Sequence, residues 1–382
     1  MISPPSPRYY SEQHEAFRAT LRQFVEREIL PHVDAWDEAG EFPREIYRKA
    51  ADIGALALGY PEEYGGVPAD LFYQIVLAEE LARSGAGGLL ASLLSHMIAA
   101  PPIAAAASQD IKARVLPEIL SGRKISALCV TEPSGGSDVA NLRTAAKRDG
   151  NHYVVNGSKI FITSGMRADY LTVAVRTGGS GMKGVSLLLI EADTPGIRRT
   201  PLKKMGWWMS DTAQIFFDDV RVPITHLIGD ENNGFAAVMR NFNGERLLIA
   251  ASAYGFAKVC LEDAVAWAKD RQTFGAPLIS RQVIRHKLVD MAMHIESTRA
   301  LLEDLTWRVQ QGERPVAQIA MLKYQSTQTM QFCADQAVQI LGGMGFMRAT
   351  RVERIYREVK VNQIGGGADE IMKDLAARQL GW

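Results

Sequence analysis

The hydrophobic period changes twice along this chain, and that change constrains its fold more than any other feature. Up to about residue 122 apolar residues recur at helical spacing. Phe17, Leu21, Phe24, Val25 and Ile29 form one stripe, which Pro31 ends. "DLFYQIVLAEELARSG" (70–85) and "QDIKARVLPEILSG" (109–122) give two more helices, stopped at Gly85 and Gly122. Over 125–223 the runs shorten and turn residues separate them. "YLTVAVRT" (170–177), "GVSLLLIEA" (184–192) and "AQIFFDDVRVP" (213–223) carry the β-branched and aromatic residues of strands. "HYVVNGSKIFIT" (152–163) reads as a hairpin turned at Asn156-Gly157. From Gly234 the helical period returns in long segments, apolar on more than one face, as in a bundle that also packs against other subunits. The order implies a multidomain α and β protein: an N-terminal α-helical domain over 1–122, a middle antiparallel, β-barrel-like domain over 123–232 and a C-terminal four-helix bundle over 233–382.

Bulk properties exclude several classes. Forty-three basic residues balance 43 acidic ones in 382, so no net charge draws the chain to nucleic acid or an anionic membrane. Cys129, Cys260 and Cys333 are scattered, with neither metal spacing nor a disulfide framework, which fits a reducing cytoplasm. "MISPPSPRYYSEQ" has no charged segment followed by an apolar one, so no signal peptide is read. "MIAAPPIAAAAS" (97–108) is too short to span a bilayer.

Five stretches carry possible chemistry. "ALCVTEPSGGSDVA" (127–140) is a strand entering a Gly-Gly-Ser-Asp loop that can offer N–H groups and a hydroxyl to a phosphate. No strand–GxGxxG–helix or Walker pattern accompanies it. "NGSKIFITSG" (156–165) is a strand with Phe161 and Thr163 on one face and Ile162 on the other. "DRQTFGAPLISRQ" (270–282) joins two helices through a Gly-Pro loop, and glycines interrupt a helix in "QILGGMGF" (339–346). Singly, each is equally well a turn, a core strand, a helix cap or a close helix contact. The fifth, "QIGGGADEIM" (363–372), places three glycines between two helical segments, although Gly costs roughly 1 kcal/mol against Ala in a helix.

Together, T-E-P-x-x-G-S-D, N-G-x-K-x-F-I-T, R-x-x-F-G and Q-x-L-G-G-x-G-F, with "PEEYGG" (61–66) and "YREVKVNQI" (356–364), resemble the acyl-CoA dehydrogenase family over residues 10–378. The resemblance implies one FAD per subunit and an acyl-CoA thioester between flavin and a catalytic carboxylate. A base takes a proton from Cα while a hydride leaves Cβ for the flavin, giving a trans-2-enoyl-CoA. Electrons would pass on to an electron-transferring flavoprotein, and a homotetramer is usual. Matched by motif, Leu128, Val130, Thr131, Gly136 and Ser137 resemble flavin-contacting positions, Ser137 also lying near the CoA. Phe161, Ile162 and Thr163 match the strand beside the ring, Phe161 standing where many members have Trp. Arg271, Thr273, Phe274, Arg281 and Gln282, with Gln339, Ile340, Gly342 and Gly343, match two segments that reach a neighbouring subunit's FAD. The resemblance also implies cofactor-binding positions at Gly367, Ala368 and Glu370.

Most members carry the base as Glu in "I-Y-E-G-T", and there this chain has Gly366. It resembles instead the long-chain and isovaleryl-type branch, whose Glu precedes an Arg on an earlier helix. "NGERLLIAA" (243–251) puts Glu245 at that position, and "GGGADEIMKDLAAR" (365–378) resembles the ending of the long-chain type. By itself Glu245 reads as an acid in the first turn of a helix capped by Asn243. The resemblance implies that Glu245 is the base, with Asn243, Arg246 and Gly366 near the substrate. Arg246, about 100° round the helix from Glu245, is expected to point elsewhere, toward CoA or a neighbouring chain. The absent side chain at 366 is expected to leave room for a long or branched acyl group. Within the same fold, an oxidase or monooxygenase would lack the need for an electron-transferring flavoprotein, and a non-catalytic relative would lack Glu245 or the flavin motifs.

Overall fold

The computed structural model describes residues 6–382, with the backbone but not the side chains of 236–243. Eight helices come first: α1 (Glu12–Phe24), α2 (Val33–Ala39), α3 (Glu45–Asp52), α4 (Leu71–Ala82), α5 (Gly87–Leu93), α6 (His96–Ala99), α7 (Pro101–Ala106) and α8 (Gln109–Leu120). Their starts are written locally. Ser11 caps α1 in a reciprocal box with His14, and Asp70 accepts from Phe72 N at the head of α4. Helix α4 is apolar on nearly every face because it lies between α1 and the C-terminal helices.

Eight strands form one sheet: β1 (Ser126–Cys129), β2 (Ala145–Asp149), β3 (His152–Ile162), β4 (Tyr170–Arg176), β5 (Val185–Glu191), β6 (Ile197–Pro201), β7 (Ala213–Pro223) and β8 (Leu227–Ile228). Their order is β6-β7-β3-β2-β4-β5-β8, with β1 beside β4. Neighbours are antiparallel except that β4 runs parallel to β1 and β2. One core joins this sheet to the N-terminal helices through Leu77, Leu81, Leu171, Val173 and Ile215.

The expected hairpin at Asn156-Gly157 is absent. Strand β3 runs straight through both residues, and the turn to β2 falls at Gly150-Asn151. Asn156-Gly157 is a bulge against β7, where the register shifts between Val155 and Gly157. Gly157 is required because a Cβ there would lie 2.7 Å from Thr144 Cα, and the Asn156 amide is taken by Asp219.

The remainder is helical: α9 (Gly234–Asp270), α10 (Gln282–Gln310), α11 (Val316–Leu341), α12 (Arg351–Ile364) and α13 (Asp369–Leu380), with a small β9 (Gln272–Thr273) and β10 (Ala276–Pro277) ribbon between α9 and α10. Helices α9 and α11 share the largest helix contact, and α13 packs back on α11. Glu358 on α12 accepts from Gly87 N at 2.7 Å and from Trp207 N at 2.9 Å, so one carboxylate joins all three parts of the chain. Among the described residues no single helix is long and apolar enough to cross a membrane.

Candidate active site

Helix α9 is continuous through Asn243 and Gly244, so Glu245 lies about three turns inside it and is no first-turn acid. Asn243 cannot be the N-cap; its side chain lies outside the described residues. Behind α9, α12 ends at Ile364 and the chain reaches α13 through Gly365-Gly366-Gly367-Ala368. Gly366 and Gly367 have φ of +66° and +111°, a pair of left-handed positions that side chains disfavour.

The Glu245 carboxylate faces this turn. A Cβ built on Gly366 would lie 3.9 Å from Glu245 Oε1. Oε2 is sealed from solvent, and neither oxygen accepts a hydrogen bond among the described residues. Burial raises its pKa to about 7, against the lowering pull of Arg246 and Lys323. An unpaired buried carboxylate is costly for folding, and groups perturbed in this way cluster at functional sites.

Two cations hold the turn rather than the carboxylate. Arg246 Nε donates to Gly366 O at 3.2 Å, so this buried side chain converges on the glycine turn instead of pointing away. Lys323 on α11, fully buried, donates to Gly367 O at 2.7 Å and Gln363 O at 3.2 Å. Burial lowers the Lys323 pKa to about 8. With the carbonyls of 363, 366 and 367 turned toward cations, the N–H groups of Gly366 and Gly367 have no acceptor among the described residues. Lys323 was not anticipated from sequence; its signal is a lone charge within the apolar "IAMLKYQ".

The 130–138 loop is anchored from below. Glu132 accepts from Arg143 N at 2.6 Å, Thr144 N at 2.8 Å and Lys159 Nζ at 2.8 Å, and Lys159 also donates to Val130 O at 3.0 Å. Burial alone would raise the Glu132 carboxyl, but Lys159, with the hydrogen bonds from Thr144 and Arg143, holds it below the usual range. The anchor leaves Gly136 and Ser137 exposed, Leu128 and Thr131 half-buried and Val130 buried. Thr131 O accepts from Ile160 N at 2.9 Å, which sets the loop beside the end of β3.

There Phe161 is 67% exposed with φ of +62°, and Ser164 has φ of +60°. Left-handed backbone costs roughly 1–2 kcal/mol for such residues. A strained, exposed aromatic beside half-buried Thr163 fits a flat ring lying over it. Ile162 is buried in the sheet core, so only its backbone can reach that face.

The two segments expected to reach a neighbouring subunit's flavin carry several exposed residues. On the β9–β10 ribbon Phe274 is 98% exposed, Arg271 is exposed, and Arg281 donates to Thr273 O at 2.7 Å, with Gln282 opening α10. Gln339, Gly342 and Gly343 are exposed at the end of α11, while Ile340 is buried. Ala368 lies at the head of α13 and Glu370 is exposed on its first turn. A hollow lined by Trp36, Phe42, Pro43 and Arg167 contains none of these residues.

The architecture therefore sets a carboxylate against a glycine turn and a strained aromatic at a strand end. Family models described as the acyl-CoA dehydrogenase N-terminal, middle and C-terminal domains match residues 11–123, 127–220 and 232–381. The chain belongs to the acyl-CoA dehydrogenase family, and its cofactor is FAD. It is 36% identical to the mitochondrial long-chain specific acyl-CoA dehydrogenase of Sus scrofa, covering 98% of this chain and 87% of that one. An acyl-CoA dehydrogenase structure from Geobacillus kaustophilus superposes with a TM-score of 0.95 at 37% identity, covering 98% of this chain and 100% of the other. A glutaryl-CoA dehydrogenase of Mycobacterium smegmatis in complex with FADH2 superposes at 0.93 with 26% identity, over 98% and 96%.

Proposed function

We propose that this enzyme removes two hydrogens from Cα and Cβ of a long or branched acyl-CoA, with Glu245 as the base. The observation that carries this is the unpartnered Glu245 carboxylate, its Oε2 sealed from solvent and its Oε1 3.9 Å from where a Gly366 side chain would begin. Bound FAD supplies the acceptor for the hydride that leaves Cβ. Glu245 takes the Cα proton and becomes neutral, while the acyl group becomes a trans-2-enoyl thioester. A carboxylate with pKa about 7 is a stronger base than an ordinary glutamate and is still substantially ionised at neutral pH. The Gly366 N–H, free of any acceptor among the described residues, is assigned to the thioester carbonyl. Arg246 positions it through the Gly366 carbonyl.

The flavin site proposed in one chain is Leu128, Val130, Thr131, Gly136, Ser137, Phe161, Ile162 and Thr163, with Gly367, Ala368 and Glu370 near the glycine turn. Ser137 is placed by the CoA as well. Arg271, Thr273, Phe274, Arg281, Gln282, Gln339, Ile340, Gly342 and Gly343 are proposed to serve a neighbouring subunit's FAD in a homotetramer. The exposed Phe274, Phe346, Val283, Val289 and Met293 support such a partner. An electron-transferring flavoprotein is the proposed acceptor, the cytoplasm the proposed site of action and fatty acid β-oxidation the proposed setting. The divisions at 122/123 and 232/233 are proposed domain boundaries. Anaerobic mixing with a panel of acyl-CoAs tests the reaction: flavin bleaching with enoyl-CoA formation supports it, and no bleaching by any thioester refutes it.

A further inference from the structure

The room expected beside Gly366 is already taken. A Cβ there would lie 2.5 Å from Ile249 Cδ1, with Glu245 Oε1 3.9 Å away. Ile249 is one turn after Glu245 on α9, so the two side chains share a face. Its neighbours Leu247 and Ala250 are buried in the C-terminal core, which Leu248 also packs against, whereas half-buried Ile249 does not join that core. It turns its apolar end toward the glycine turn that the carboxylate also faces. In a helix Ile keeps essentially one χ1 rotamer, so this end cannot readily swing aside.

We propose that Ile249 is a specificity-determining residue: its Cδ1 closes the space opened by Gly366 and selects acyl thioesters unbranched at Cα. This rests on Glu245 as the base. Proton removal requires Cα within about 3–3.5 Å of a Glu245 oxygen. Glu245 Oε1 and Ile249 Cδ1 both lie within 4 Å of the point where a Gly366 side chain would begin, so a Cα brought up to Oε1 on this side meets Cδ1. A straight chain carries two hydrogens on Cα, and one leaves. A methyl replacing the other enlarges Cα where Cδ1 already stands. Glycine at 366 thus removes one obstruction, and an isoleucine on the facing helix supplies another.

The test compares kcat/KM for the best straight-chain acyl-CoA and for its 2-methyl derivative in the wild type, Ile249→Val and Ile249→Ala holoenzymes. One methyl in a tight apolar pocket is worth about 10–200-fold in discrimination, so the branched-to-straight ratio should rise about tenfold or more in Ile249→Ala and partway in Ile249→Val. If Ile249→Ala fails to retain FAD, the partial rise in Ile249→Val decides. Ratios within about twofold of wild type, or a wild type that already takes both thioesters equally, overturn the proposal. Glu245→Gln separates the two ideas. Turnover surviving in that variant removes the base assignment, whereas an unchanged ratio with turnover dependent on Glu245 removes only the role of Ile249.

Discussion

Glu245 combines two properties that a catalytic base of this kind needs, a raised proton affinity and the absence of a competing partner. With a pKa of about 7, kcat/KM should rise with pH through neutrality and level off above it, and a profile flat from pH 5.5 to 8.5 would disagree. Burial also gives the site a stability signature. The folded state holds the Glu245 proton up to about pH 7, and the unfolded chain releases it near its ordinary 4.5. The folded state therefore binds more protons across that window, and this group's contribution to stability declines as pH rises through it. Glu245→Gln removes the decline, so denaturation should find the variant more stable at pH 8 than wild type, by on the order of 2 kcal/mol. Glu245 was proposed from the sequence because Gly366 offers no side chain and a second motif offers a carboxylate, and the structure sets the two within one site. Ile249 and Lys323 were not, since "ERLLIAA" and "IAMLKYQ" give no sign of which side chains face the turn.

At the scale of elements, strand β3 and the 130–138 loop act as one unit. The N-G-x-K-x-F segment supplies a bulge at Gly157, a buried cation at Lys159 and a strained aromatic at Phe161. Lys159→Met strands the buried Glu132 charge with only two N–H donors. We expect a loss of about 3 kcal/mol in unfolding free energy and weaker FAD retention, seen by denaturation and by flavin released on gel filtration. Gly157→Val should be similarly damaging, because its Cβ collides with backbone rather than with a movable side-chain end. The alternating pattern gave these strands from sequence, but the Asn-Gly signal misled. A turn and a bulge both favour Gly, and what separates them here is a distant neighbour, Thr144, that no local window contains.

Across the whole molecule, the two period changes marked out the three layers, and the packing between them was hidden. Glu358 joins α5, the Trp207 loop and α12, while Arg354 and Arg357 both reach Asp37 on α2, at 3.3 Å and 2.6 Å. These partners lie hundreds of residues apart, so no spacing announces them. Exposed Phe274 and Phe346 belong to the same scale. Phe274→Asp should weaken the oligomer and release FAD together, as read by light scattering with flavin absorbance; loss of neither would separate this ribbon from the flavin site. The central assignment is that Glu245, and not the glycine turn, supplies the base. Its most direct test is anaerobic rapid mixing of the Glu245→Gln holoenzyme with the best acyl-CoA substrate. FAD should remain bound while flavin reduction slows by about 10²–10⁴-fold or more. Bleaching at a rate close to wild type would contradict it.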